Sequence, residues 1–269
     1  MFKNVTLGQY FPGESFVHRL DPRTKMLATL ALIAVVFVSN GFAGFILIAA
    51  FVLCTAASTG VHLKFLFKGL KPIFFIIVFT FVLNLFFQQT GDVLLQWGLI
   101  KITSDGLRMA GFMALRLILL VISSQLLTLT TSPISLTDGL ESLMRPFSKI
   151  GFPAHEIAMM MSIALRFIPT LMDEADKIMK AQKARGANFE TGNLLQRARA
   201  MIPLLVPLFV GAFRRADELA LAMDARCYRG GAGRTRMNQL KYTHRDAIAA
   251  CAIIALFVGV IVLNRFCPF

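Results

Sequence analysis

"MIPLLVPLFVGAFRRADELALAMDAR", residues 201–226, decides how this chain is to be read. Its first thirteen residues, Met201 to Phe213, are apolar and lie between Arg199 and Arg214. Crossing the hydrocarbon core of a bilayer takes about 20 apolar residues of helix. The run is too short for that, and it contains Pro203 and Pro207. Apolar helix of this length belongs at an interface or against protein. The second half, from Arg214 on, is charged and amphipathic. The same order recurs in "IAMMMSIALRFIPTLMDEADKIMKAQKAR", residues 157–185, where Arg166 and Pro169 interrupt the apolar part. Both stretches predict long helices lying along or just under a membrane, with prolines that allow bends and charged ends pointing away. "GANFETGN", residues 186–193, reads as the polar turn between them.

The two helix ends repeat each other. With Arg185 set on Arg226, Ala175-Asp176 falls on Ala216-Asp217, Ile178 on Leu219, Ala181 on Ala222 and Ala184 on Ala225. A spacing of three puts Ile178, Ala181 and Ala184 on one helical stripe. Small residues there permit close approach. An arginine on the last turn offers a fork of donors that suits a carboxylate. A single Ala-Arg-Gly at a helix end is an ordinary cap. Two copies, each closing an apolar-to-amphipathic helix, predict two equivalent docking ends for two similar partners.

The rest of the chain supplies the membrane. Its 269 residues are 56% hydrophobic and 16% charged, with a mean hydropathy of +0.67, which is too apolar for an ordinary soluble domain. Five spans are expected, at residues 26–40, 41–60, 71–89, 106–130 and 246–266, the first two joined by a tight Asn-Gly turn. Without water to satisfy the backbone, they must be helices. Arg19, Arg23 and Lys25 precede span one, and Lys64, Lys68 and Lys71 lie between spans two and three. The positive-inside rule places these segments in the cytoplasm and the C-terminus outside. Residues 131–245 hold seventeen of the 28 Lys and Arg and ten of the 15 Asp and Glu, so they too are expected to be cytoplasmic. Ahead of the long helices, residues 132–156 hold a shorter helix, with Ser135 or Thr137 to cap it and Gly151 and Pro153 to stop it. The expected architecture is an all-α membrane protein of about five transmembrane helices and about three cytoplasmic amphipathic helices. Its parts are 1–130 (four spans), 131–245 (cytoplasmic helices) and 246–269 (the last span).

Several chemistries are disfavoured. The net charge of +13 suits orientation and contact with anionic lipid or an acidic partner. Basic and aromatic residues do not interleave as a nucleic-acid platform would need. Cys54, Cys227, Cys251 and Cys267 form no C-x-x-C, and neither a metal site nor a disulfide framework is indicated. No G-x-x-x-x-G-K-[ST] loop is present, so ATP must be bound by something else. "YRGGAG", residues 228–233, follows no strand and reads as a connector. The polar N-terminus does not resemble a cleavable signal, so the first span is expected to be retained. Asp173, Glu174, Asp176, Asp217, Glu218 and Asp224 are expected to be solvated or in local ion pairs with Lys177, Lys180, Arg214 and Arg215, and His18, His62, His155 and His244 to lie on the surface. Arg116, inside span four, either contacts a partner or snorkels.

Five segments together resemble the transmembrane T components of energy-coupling factor transporters, the EcfT/CbiQ family. They are "GQYFPGESFVHRLDPRTK" (8–25), "LTLTTSPISLTDGLE" (127–141), "RFIPTLMDEADKIMKAQKARGA" (166–187), "IPLLVPLFVGAFRRADELALAMDARCYRG" (202–230) and "GRTRMNQLKYTHRD" (233–246). The match is nearest to the shared, multi-substrate type. The resemblance implies a non-catalytic subunit without a cofactor, in a multi-pass cell-membrane complex with two ATP-binding-cassette ATPases and an exchangeable membrane-embedded S component that binds a vitamin or other micronutrient. It implies ATPase docking through Ala184, Arg185 and Gly186, and through Ala225, Arg226 and Cys227. Cys227 stands where glycine is usual, which puts the local turn in question. It implies S-component contact through Met159, Met160, Ile163, Leu204, Leu208, Gly211 and Ala212. Met suits a surface that repacks against several partners. Two alternatives were weighed. A dedicated cobalt or nickel T component would share the fold. An intramembrane enzyme would need acids, His or Ser converging within the spans, and spans one and two contain no charged residue.

Overall fold

A computed structural model describes residues 10–39, 41–61, 63–87, 92–97, 100–187, 189, 193–231 and 239–266. In chain order the helices are α1 (Pro22–Val38), α2 (Phe42–Ser58), α3 (Leu63–Leu70), α4 (Phe74–Phe87), α5 (Ser104–Thr130), α6 (Pro133–Met144), α7 (Ala154–Ala184), α8 (Leu194–Ala225) and α9 (His244–Phe266). A 3₁₀ turn, Arg145–Ile150, follows α6. One antiparallel hairpin, β1 (Val93–Trp97) and β2 (Ile100–Thr103), stands before α5. The protein is an all-α membrane protein with this single small addition. The hairpin was not anticipated, although two β-prone runs around Gly98 carry its signal.

The chain divides into two compact units. The first joins Gly8–Gly139 to Gln239–Phe269. Its axis is α5, 27 residues long, or about 40 Å of helix. The core gathers Leu32, Val35 and Val36 of α1, Phe45, Ile48 and Val52 of α2, Leu119 of α5, and Leu256 and Val260 of α9. Phe45 stacks on Phe112 with centroids 5.5 Å apart. Many apolar side chains of α4 remain uncovered; Phe75 and Phe87 are 76% and 81% exposed. Outside a membrane so much bare apolar surface would be a liability.

Both ends of α1 are tied by polar bonds. At its start Asp21 caps the helix by accepting from Arg23 N–H at 2.9 Å, with Pro22 in the first turn. Asp246 of α9 accepts from Asp21 N–H at 2.8 Å. Lys25 donates to the carbonyls of His18 and Thr130, each at 2.9 Å. At its far end the helix leaves carbonyls that its own backbone does not satisfy. Asn264 donates to Val38 O at 2.9 Å and Arg116 to Ser39 O at 3.0 Å. The guanidinium of Arg116 also lies over the rings of Phe37 and Phe45. Arg116 is thus held by contacts within the fold, to the carbonyl that follows α1 and to two rings of the core.

The second unit contains Leu140–Asn238 and holds α7 and α8. Both helices run unbroken through Pro169, Pro203 and Pro207.

Among the described residues three helices are long and apolar enough to cross a membrane: α5, α9 and residues Leu195–Ala225 of α8. Phe42–Ser58 and Phe74–Phe87 are shorter apolar helices. In α8 the uncharged stretch between Arg199 and Arg214 is about 21 Å of helix, short of the ~30 Å core.

Other expectations need correction. Ser132, not Ser135 or Thr137, caps the start of α6, its hydroxyl oxygen accepting from Ser135 N–H at 3.2 Å. Pro133 already occupies the first turn, which moves the cap one residue ahead of it. Two of the histidines are half-buried rather than on the surface. His18 bridges the Ser15 hydroxyl at 2.7 Å and Phe11 O at 3.0 Å, and burial pushes its pKa below the usual value. His155 pairs with Glu141 at 3.1 Å. His62 and the Asn40 turn lie outside the described residues.

Candidate partner-docking site

Arg185 closes α7 and Arg226 closes α8. After Arg185, Gly186 enters the left-handed region at φ 89°. Its N–H bonds Lys183 O at 3.0 Å, and Ala187 N–H bonds Gln182 O at 3.0 Å. This pair of bonds is a Schellman ending. The end of α8 repeats it. Cys227 N–H bonds Asp224 O at 2.9 Å and Tyr228 N–H bonds Met223 O at 3.1 Å. Cys227 sits at φ 54°, alone among the described non-glycine residues in having positive φ. The turn that a cysteine put in question is thus the same turn, held against the roughly 1–2 kcal/mol that a Cβ costs there.

A prediction follows from that strain. Cys227→Gly should relieve it, at some cost in unfolded-chain entropy, for a net gain of about 0.5–1 kcal/mol. Hydrogen exchange at the Tyr228 amide should slow. Unchanged or faster exchange would mean that the turn is not strained.

Ala184, Arg185, Gly186, Ala225, Arg226 and Cys227 are all exposed. Neither Arg185 nor Arg226 has an ion-pair or hydrogen-bond partner among the described residues. The stripes leading to them also match: Ile178 and Leu219 are half-buried, while Ala181 and Ala222 are exposed. The structure thus offers two like surfaces, each with small residues beside an exposed guanidinium.

The helices meet away from these ends. Glu174 of α7 and Arg215 of α8, an acid and a base expected in ion pairs, are joined across the two helices at 2.5 Å. The pair falls on equivalent positions of the repeat, and each arginine stands eleven residues beyond it, about 16 Å along its helix. Gly211 lies one turn before Arg215; a Cβ on it would stand 3.1 Å from Glu174 Oε1. The helices approach closely there because the position carries no side chain.

The residues expected at a second partner face are not all on one surface. On α7, Met160 is 59% exposed, and Met159 and Ile163 are half-buried. On α8, Leu204 is buried, Leu208 and Ala212 are half-buried, and Gly211 faces Glu174. The uncovered apolar stripe of α8 is instead Ile202, Val206, Phe209 and Phe213, each more than half exposed. These follow one another at intervals of three and four, a signal present in the sequence that was read for small residues instead. At the start of α7 the ring of His155 lies against Gly231, so the connector after α8 begins packed; its residues 232 and 233 lie outside those described. Among the described residues no three His, Cys, Asp or Glu gather as metal ligands would.

Residues 13–237 match the model of the cobalt transport protein family, CbiQ. Among curated proteins the chain is 56% identical over 265 residues to a protein of Clostridium kluyveri, with 97% of both chains covered. It is 56% identical over 264 residues to one of Thermosediminibacter oceani, covering 98% of this chain and 99% of the relative. A Bacillus subtilis protein is 47% identical over 256 residues, covering 95% and 97%. Each of the three is named energy-coupling factor transporter transmembrane protein EcfT.

Proposed function

We propose, from the premise that this chain belongs to the CbiQ/EcfT family of transporter transmembrane proteins, that it couples ATP hydrolysis by two partner ATPases to import. The observation that carries this reading is the matched pair of ends: one turn geometry, one exposed arginine each, equal distances from the Glu174–Arg215 contact. Two like ends suit the two like subunits of an ATPase dimer. Each guanidinium would meet a carboxylate in a groove on its ATPase. Closure of the dimer would then move the two ends together, and the helices would carry that motion to the membrane. The partner there would be an exchangeable substrate-binding S component. The bare stripe of α8 and the exposed Met160 of α7 are surfaces that such a partner could cover. Chemistry on ATP would belong to the partners alone.

The orientation in this reading puts the N-terminus and residues 131–245 in the cytoplasm and the C-terminus outside, in the cell membrane. The functional parts would be 1–130, 131–245 and 246–269. In this reading α8 lies at the interface although its length would let it cross. The multi-substrate form is preferred to a dedicated cobalt or nickel transporter because the relatives, matched nearly end to end, carry the energy-coupling factor name.

Affinity purification from native membranes through a tag on this chain tests the proposal. Two ATPase subunits per chain should co-purify, with ATP-driven uptake after reconstitution. The chain freed of them should hydrolyse no ATP. ATPase activity in a preparation lacking those subunits would overturn the division of labour.

A further inference from the structure

A cavity of about 280 Å³ opens among α1, α2, α5 and α9. It is a groove open along one side, where Phe16, Cys54, Ser58 and Ile248 of its wall are exposed, and an apolar wall with nothing against it forfeits dispersion contacts. Along α1 the wall runs from Lys25 to Leu32, about 10 Å of helix. On α5 it runs back from Thr130 to Ser123, and on α2 from Thr59 to Phe51. The cavity therefore begins where these helices end, beside the start of α1, where Phe16, Val17 and Leu20 of the preceding segment also line it. It reaches about two-thirds of the ~15 Å hydrocarbon depth of one leaflet.

The wall contains six hydroxyls, those of Thr29, Thr55, Ser58, Thr59, Ser123 and Thr130. Each donates to a carbonyl of its own helix. None keeps a donor for a solute, so an occupant that carries acceptors alone would lose hydrogen bonds on entering unless it met Lys25. Cavities lined this way take up hydrocarbon instead. Lys25 is the exception. It is only 6% exposed, and its two bonds, to His18 O and Thr130 O, use two of its three N–H groups. The third has no partner among the described residues. Asp21 and Asp246 act on its charge, and Arg23 lies beside Asp21. The charges of this cluster balance, so Lys25 presents a hydrogen-bond donor rather than a net positive field.

We propose that the cavity seats one acyl chain of a membrane phospholipid, whose ester carbonyl accepts the spare N–H of Lys25. The lipid comes from the leaflet that faces the N-terminus of α1. It is selected by its chain and not by its headgroup, because the cluster has no net charge to offer one. Once seated, the chain fills the space among four helices whose remaining contacts form the core of this unit.

Native mass spectrometry on the complex with its partner subunits tests this. The complex is reconstituted in equal parts dioleoyl phosphatidylglycerol and dioleoyl phosphatidylcholine, then extracted in detergent. One phospholipid, with either headgroup, should stay on this chain. Ala249→Trp places an indole in the cavity wall and should lower occupancy by about tenfold. Phe79→Trp, on the uncovered side of α4, should leave occupancy unchanged. In the unaltered protein, dimyristoyl phosphatidylcholine should displace the bound lipid and dihexanoyl phosphatidylcholine should not. That competition decides the matter even if Ala249→Trp fails to assemble. The proposal is overturned by full retention in Ala249→Trp, by equal displacement with six-carbon chains, or by retention of phosphatidylglycerol alone. It is also overturned if binding of the membrane partner expels the lipid, since a partner segment would then be the occupant.

Discussion

Membranes carrying Arg185→Glu together with Arg226→Glu should bring down little or no ATPase, while the chain itself inserts at a normal level. Both guanidinium groups are exposed and unpaired among the described residues, so reversing them removes no contact described within the fold. Truncating one partner of a desolvated charge pair costs about 2–5 kcal/mol, and a glutamate facing a carboxylate adds repulsion. The two docking events are linked through the ATPase dimer, so with one anchor held the second is effectively intramolecular. Each single variant should therefore retain part of the ATPase with impaired transport, and the double variant should lose nearly all of it. The readout is pull-down stoichiometry, with expression checked by blot. A full complement of ATPase on the double variant would reduce the repeated ends to ordinary helix caps.

Asp246→Ala should be the most damaging single change to the membrane unit. Asp246 is 4% exposed and accepts three bonds of 2.8 Å, from the N–H groups of Asp21 and Thr243 and from the Thr243 hydroxyl. It joins the start of α9 to the cap of α1. Alanine would leave the buried Asp21 N–H without an acceptor, break the two half-buried bonds from Thr243, and leave Lys25 with one fewer counter-charge. Such a loss costs about 3–5 kcal/mol, or on the order of 10 °C in the unfolding midpoint for a chain of this size. Asp246→Asn, which keeps one acceptor oxygen, should cost less than half of that. Thermal unfolding in detergent measures both. A midpoint unmoved by the alanine would show that the junction does not hold α1 to α9.

What was legible in the residues was whatever depended on period and punctuation. The helical spans follow from uninterrupted apolar runs, and the two long helices from runs that stop short and turn amphipathic. The repeat at Arg185 and Arg226 could be read by simple alignment. The common turn could not, since nothing local says that Cys227 will take a glycine's conformation. What stayed hidden depended on tertiary partners. Arg116 looks the same in sequence whether it snorkels or caps Ser39 O from 77 residues away. Asp246 reads as a first-turn acid, and only the fold brings it to Asp21 across 225 residues. The resemblance implies that Gly211 meets a partner, yet the group that approaches it is Glu174 of the same chain. The helix that buries Leu204 leaves Phe209 bare, and choosing between two faces of one helix needs to know where its neighbour stands.

The central claim is that each repeated end seats one ATPase. Photo-crosslinking residues placed at Ala184 and Ala225 together, in cells expressing the whole complex, test it most directly. The account predicts a product in which one chain is bonded to two ATPase subunits, and singly bonded products when either position alone carries the crosslinker. No ATPase captured at either position, with the complex intact by co-purification, would contradict it.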